Sequence, residues 1–196
     1  MSLFTDRNVD RSFFGVKIPA SVFQSVNAFF IILLAPIFAL LWASLSKINK
    51  EPGIPVKFIL ALLQVGLGFV VLGLGRYFAD SQGLVPVVFL IVGYLLHTTG
   101  ELCLSPVGLS MVTKLSPPHM VGFMMGTWFL AISFAHYLGG GLAKLTAIVS
   151  SEGNNALETL AVYCQNFMTV GLSCMAATMI LVALVPLLTK WMHGVK

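Results

Sequence analysis

"GELCLSPVGLSMVTKLSPPHM", residues 100–120, sets one carboxylate, Glu101, inside an apolar run and follows it five positions later with Pro106. The run to which it belongs spans residues 84–115, longer than the ~20 apolar residues that cross a bilayer. Four more such runs cover residues 18–45, 56–79, 120–149 and 166–191. Of the 196 residues, 58% are hydrophobic and 9% charged, whereas a soluble domain carries about a quarter charged residues. A segment in lipid must satisfy its own backbone hydrogen bonds, so all five runs are expected to be helices. The alternating ten-residue segments of a membrane β-barrel are absent. The predicted fold class is therefore an all-α integral membrane protein with five transmembrane helices, seated in a lipid bilayer as one multi-pass unit.

Charge collects in the connections. "SKINKEPGIPVK" (46–57), "TKLSPPHM" (113–120) and the C-terminal "KWMHGVK" fall on one side if the helices alternate; "DRNVDR" (6–11), "ADSQGL" (79–84) and residues 150–166 fall on the other. Six lysines on the first side against five basic residues on the second put the lysine side in the cytoplasm. The net charge of +4 comes with no basic stripe outside the apolar runs, so no nucleic-acid partner is expected. Basic loop ends beside anionic headgroups account for it better. The three cysteines, Cys103 and Cys174 in helices and Cys164 in the outer loop, have neither disulfide nor zinc spacing. "MSLFTDRNVDR" is polar, unlike a signal peptide, and five spans behind such a start are expected of a chain whose Met1 is internal to a longer one.

Tyr94, His97, Thr98, Glu101, Ser105 and Gly108 recur at intervals of three or four, a polar stripe on the third helix. A mid-membrane carboxylate almost always faces a bundle interior or wet cavity and marks a pathway. Pro106 gives no N–H to the Leu102 carbonyl, so backbone polarity opens one turn from Glu101, a cavity wall and a candidate hinge. The bland alternative pairs Glu101 with a basic residue merely to fix packing. No Lys or Arg stands mid-membrane in the other four runs, so that partner would lie outside this chain or be a ligand.

"GELCLSPVGLSMVTKLSP" followed by "GFMMGTWFLAISFAHYLGG" resembles the C-terminal half of the proton-dependent oligopeptide transporter family, a branch of the major facilitator superfamily, and "FQSVNAFFIILLAPIFALLW" (23–42) resembles its eighth helix. The resemblance implies that the five runs are helices eight to twelve, part of a C-terminal bundle, with the N-terminal helices missing. It implies a non-enzymatic role: proton-coupled symport of di- and tripeptides across the cytoplasmic membrane, without a cofactor, the proton being the coupling ion. Glu101 matches the tenth-helix glutamate and Asn27 the eighth-helix asparagine that hold a peptide's amino terminus in the family. Such oxygens can accept from an ammonium's three donors. Ser105 matches the serine of the same motif, and Trp128 an aromatic wall of a side-chain pocket. Leu109 and Met125 match positions near the cytoplasmic gate, where Pro106 is the candidate hinge.

Each assignment has a plainer counterpart. Asn27 can simply bond across helices, and Trp128 can pack or anchor at the interface. Gly122 and Gly126 are expected to mark a close helix contact, and "LGGGLAK" (138–144) close approach or local unwinding, while Trp42 and Trp191 look like interfacial anchors. His136 departs from the family's smaller polar residue; it shares a face with Met125, Trp128 and Ile132 and is, with His97, a candidate for proton coupling. A carboxyl is favoured neutral in apolar surroundings and ionised beside an ammonium, so proton release and substrate capture can meet at Glu101. The family's first-half coupling motif is not in this sequence, so the chain alone is not expected to transport. Two rivals stand open: an intramembrane metal enzyme using His97, Glu101 and His136, and another superfamily transporter (drug or nitrate) or a non-transporting helical subunit.

Overall fold

The computed structural model describes the backbone of residues 1–13, 16–151 and 156–191; the side chains of residues 13, 16–17, 105, 142–143 and 145–151 lie outside the described set. Five helices are long and apolar enough to cross a membrane. They are α2 (Ala20–Lys47), α3 (Ile54–Leu74, prolonged by a 3-10 turn Gly75–Phe78), α4 (Val87–Leu115), α5 (Val121–Ser151) and α6 (Ala156–Trp191). A short α1 (Ser2–Asn8) and a two-residue antiparallel pair, β1 (Ser12–Phe13) with β2 (Val16–Lys17), precede them. The predicted runs match these helices to within a few residues except the last. α6 starts ten residues before the predicted 166, taking in residues assigned to an outer loop, and Cys164 is buried on it.

Packing is uneven. α3 lies at the centre, with its main contacts to α6 and α4, while α2 touches α4 and α5 touches α4 and α6 only lightly. The reason is side-chain size at the crossings. A Cβ on Gly66 would sit 3.2 Å from the Gly171 carbonyl oxygen, and one on Gly171 3.0 Å from that of Gly66, so α3 and α6 touch backbone to backbone there. The expected contact at Gly122 and Gly126 is not the one observed: among the described residues nothing lies within 4 Å of a Cβ placed at either, nor at Gly139, Gly140 or Gly141. Glycine spacing on one helix says nothing of whether a neighbour is present on that face.

The polar start of the chain is not a free outer tail. Phe4 on α1 is buried edge-on against Tyr163 and Phe167 of α6, with ring centroids 5.9 and 5.1 Å away. Asn8 is wholly buried; its Nδ2 donates to the Gly83 carbonyl at 3.2 Å and the Ala156 carbonyl at 2.9 Å, and its Oδ1 accepts from Thr159 at 3.3 Å. Val9 pairs with Val85 as a parallel bridge. Gly83 has φ +77°, a value an L side chain resists, and Asp80 closes the same turn by accepting from the Gln82 and Leu84 amides. "DRNVDR", "ADSQGL" and the start of α6 thus meet at one end. Asn8→Ala removes all three bonds, leaving the Thr159 hydroxyl and the Ala156 carbonyl to pair with each other at 2.9 Å, and a stability loss of about 2 kcal/mol is expected, read as a lower thermal midpoint in detergent.

At the opposite end, Lys57 on α3 is buried, bonds Glu51 at 2.5 Å and places its Nζ 4.8 Å from the centre of the Trp42 ring. Trp42 is therefore no simple interfacial anchor: its Nε1 is buried without a hydrogen-bond partner among the described residues. Bonding from Lys57 holds the Glu51 carboxyl below its usual range. A depressed pKa stabilises the fold above the unfolded value and loses that contribution as pH falls through the folded one. Glu51→Gln should accordingly cost about 0.5 kcal/mol at pH 7 and progressively less as pH falls through the lowered folded-state value, a difference that melting curves at neutral and acid pH will show.

Candidate functional site

α4 carries the predicted polar stripe, and its neighbours divide it. Tyr94 and Thr98 are buried, and the Thr98 hydroxyl lies 2.6 Å from Asn27 Oδ1 on α2. His97 turns to α3: its ring centre lies 4.5 Å from that of Phe69, and a Cβ on Gly68 would fall 2.5 Å from its Cδ2. Its Nε2 is buried with no hydrogen-bond partner among the described residues. Glu101, between these two edges, is exposed. Among the described residues no helix covers that face of Glu101.

Glu101 borders two grooves. One, of 510 Å3, runs between α2 and α4, with Ile31, Ala35, Phe38 and Trp42 on one wall and Glu101, Leu102, Pro106 and Leu109 on the other. The second, of 410 Å3, is lined by Ala61 and Val65 of α3, His97, Gly100, Glu101 and Leu104 of α4, and Leu181 of α6. Both are mainly apolar, so Glu101 is the one formal charge among the described residues lining each. Pro106 does not break its helix. α4 runs continuously to Leu115, as α2 passes Pro36 and α6 passes Pro186, because a single lost N–H bond leaves the flanking turns intact.

The chain thus brings Glu101, Pro106 and Leu109 to one groove and joins Asn27 to it through Thr98, which is one helical turn from Glu101. Trp128 reaches α4 two turns below Glu101, its ring so close to Gly108 that a Cβ there would fall 2.6 Å from Cζ2. The side chain of Ser105 lies outside the described residues. Met125 is half-buried and His136 exposed on α5, and neither is among the described residues lining the two grooves. Among the described residues no three His, Cys, Asp or Glu side chains converge as a metal site would need.

Two further features escaped the sequence reading. Thr98 stood in the stripe without a role, though a Thr one turn from a mid-membrane carboxylate is the right length to reach a neighbouring helix. Gln64 on α3 donates to Cys103 Sγ at 3.7 Å, an interhelical bond whose only sequence signal was a lone amide in an apolar run.

These features define a polytopic helical membrane protein with a charged groove between its spans. The sequence pattern of the POT family matches residues 1–160, and the chain belongs to that family. It is 34% identical over 193 residues to dipeptide and tripeptide permease B of Salmonella typhimurium, covering 98% of this chain and 39% of the permease. To dipeptide and tripeptide permease A of Yersinia pestis it is 37% identical over 172 residues, covering 88% of this chain and 34% of the other. Among solved structures, a peptide transporter POT in complex with sulfate superposes with a TM-score of 0.81 at 34% identity, covering 98% of this chain and 36% of that one. A POT family transporter in complex with a thioalcohol conjugated peptide gives 0.78 at 29% identity, covering 96% and 36%. The chain therefore spans about two fifths of the length of the permeases it matches.

Proposed function

We propose that this chain supplies helices eight to twelve of a transporter that carries di- and tripeptides with protons across the cytoplasmic membrane, its lysine-rich end facing the cytoplasm. The observation that carries the reading is that Glu101 lines an open groove between α4 and α2 while Thr98, one turn before it, bonds Asn27 of α2, in a chain whose relatives are named dipeptide and tripeptide permeases. Glu101 and Asn27 accept from the peptide's ammonium, Ser105 assists one turn away, and Trp128 forms an unselective wall for a side chain. The proton is the only coupling ion and no cofactor takes part; Glu101 is the titrating group, with His97 and His136 as secondary candidates. Pro106, Leu109 and Met125 serve the gate.

The exposed face of Glu101 and the sparsely packed α2 and α5 suit contact with helices outside this chain. The test is uptake of a labelled dipeptide by proteoliposomes holding this chain fused behind the N-terminal helices of permease B. Uptake that follows an inward proton gradient and is competed by di- and tripeptides is expected. A folded hybrid that moves no peptide overturns the reading.

A further inference from the structure

The Thr98 hydroxyl touches two acceptors as placed: Asn27 Oδ1 at 2.6 Å and the Tyr94 carbonyl at 2.8 Å. A hydroxyl has one hydrogen to give. A half-turn of the Asn27 amide, which exchanges its near-identical oxygen and nitrogen, resolves the conflict. Asn27 Nδ2 then donates to the Thr98 oxygen, and the Thr98 hydrogen goes to the Tyr94 carbonyl. Every short contact now holds a hydrogen, and Asn27 Oδ1 is released as an acceptor. Thr98 is wholly buried, so water does not compete for this bond, and its branched Cβ suits a hydroxyl held on the carbonyl four residues back.

We propose that Thr98 is a positioning residue: it holds the Asn27 amide with its carbonyl oxygen free to accept, one helical turn from Glu101, and so favours a free ammonium over an acylated amino terminus. The inference rests on the reading of Glu101 and Asn27 as the subsite for a peptide's amino terminus. A free ammonium offers three donors to two acceptors. An acylated nitrogen offers one and brings a carbonyl oxygen that neither Glu101 nor Asn27 Oδ1 can satisfy.

The experiment uses the same hybrid with Thr98→Val, which keeps the shape and removes the hydroxyl. For a dipeptide with a free amino group, KM should rise about tenfold with kcat changed less than twofold. The inhibition constant of its N-acetylated analogue should stay within about twofold, Thr98→Ser should restore KM, and Thr98→Val should add nothing in an Asn27→Ala background. An unchanged KM, an equal effect on both ligands, or full additivity with Asn27→Ala overturns the proposal. If Asn27→Ala and Glu101→Gln themselves leave uptake unchanged, the subsite reading fails instead. The bond can also be read without transport: in thermal melts of the purified chain, Thr98→Val and Asn27→Leu should be coupled, and additive effects would likewise sink it.

Discussion

Glu101→Gln is expected to abolish accumulation of dipeptide against its gradient while leaving slow exchange of peptide across the membrane. Glutamine retains the length and one acceptor oxygen of glutamate but has no proton to release and no charge to set against an ammonium. Two losses follow. The charge-assisted bond falls to a neutral one, so affinity drops roughly 10- to 100-fold. The second is larger: without a titrating group, substrate entry no longer depends on proton release, and the inward gradient has nothing to act on at this position. Proteoliposomes with an imposed pH gradient should concentrate peptide with the native sequence and only equilibrate it with the variant. Counterflow, which needs no gradient, should persist in both. If the variant still concentrates peptide, Glu101 is a binding group at most and coupling resides elsewhere.

The groove supports so strong an expectation because, among the described residues, Glu101 is bordered mainly by apolar side chains, with His97 the one other titratable group lining the second groove. Phe38, Leu102 and Leu109 on one hand, and Val65, Leu104 and Leu181 on the other, offer no cation to offset it. On the proposed reading, an entering ammonium meets this carboxylate and the Asn27 amide oxygen that Thr98 holds on the neighbouring helix.

The five spans were legible because each is a near-continuous apolar run, a signal that survives averaging over ~20 residues. The first ten residues of α6 were not, since Glu158 and Gln165 dilute that average. Their helical signal is instead the recurrence of Leu160, Tyr163, Cys164, Phe167 and Gly171 at intervals of three and four, all buried. α1 escaped for the opposite reason: "MSLFTDRNVDR" reads as polar, yet Phe4 is buried against α6, and Asn8 bonds Gly83 and Ala156, 75 and 148 residues away in the chain. Glu101 was legible as a lone carboxylate in an apolar run and Asn27 from a resemblance, whereas the bond that joins their helices, through Thr98, is tertiary information. The same holds for the glycines. The glycines of "GFMMGTW" and "LGGGLAK" advertise close packing on α5 and meet none among the described residues, while the less conspicuous Gly66, Gly100 and Gly171 carry it.

Gly100→Val is expected to produce the largest loss of stability, about 3 kcal/mol. A Cβ at that position would stand 2.9 Å from the Ala61 carbonyl oxygen and 3.1 Å from Val65 Cγ2. A side-chain tip could turn away, but a carbonyl oxygen moves only with its helix. α3 would have to retreat from α4 as a body, opening the contact with α6 behind it, where Gly66 and Gly171 meet with no slack. The retreat also displaces the α3 wall beside Glu101, so peptide affinity should fall along with the melting midpoint. Gly126→Val is the matched control: the site is open, and the isolated chain should melt within about 0.5 kcal/mol of the native sequence. In the hybrid the two substitutions should part company again. If helices outside this chain cover α5, Gly126→Val will impair uptake there although it leaves the chain alone undisturbed, whereas an unimpaired hybrid would mean that this face of α5 looks onto lipid.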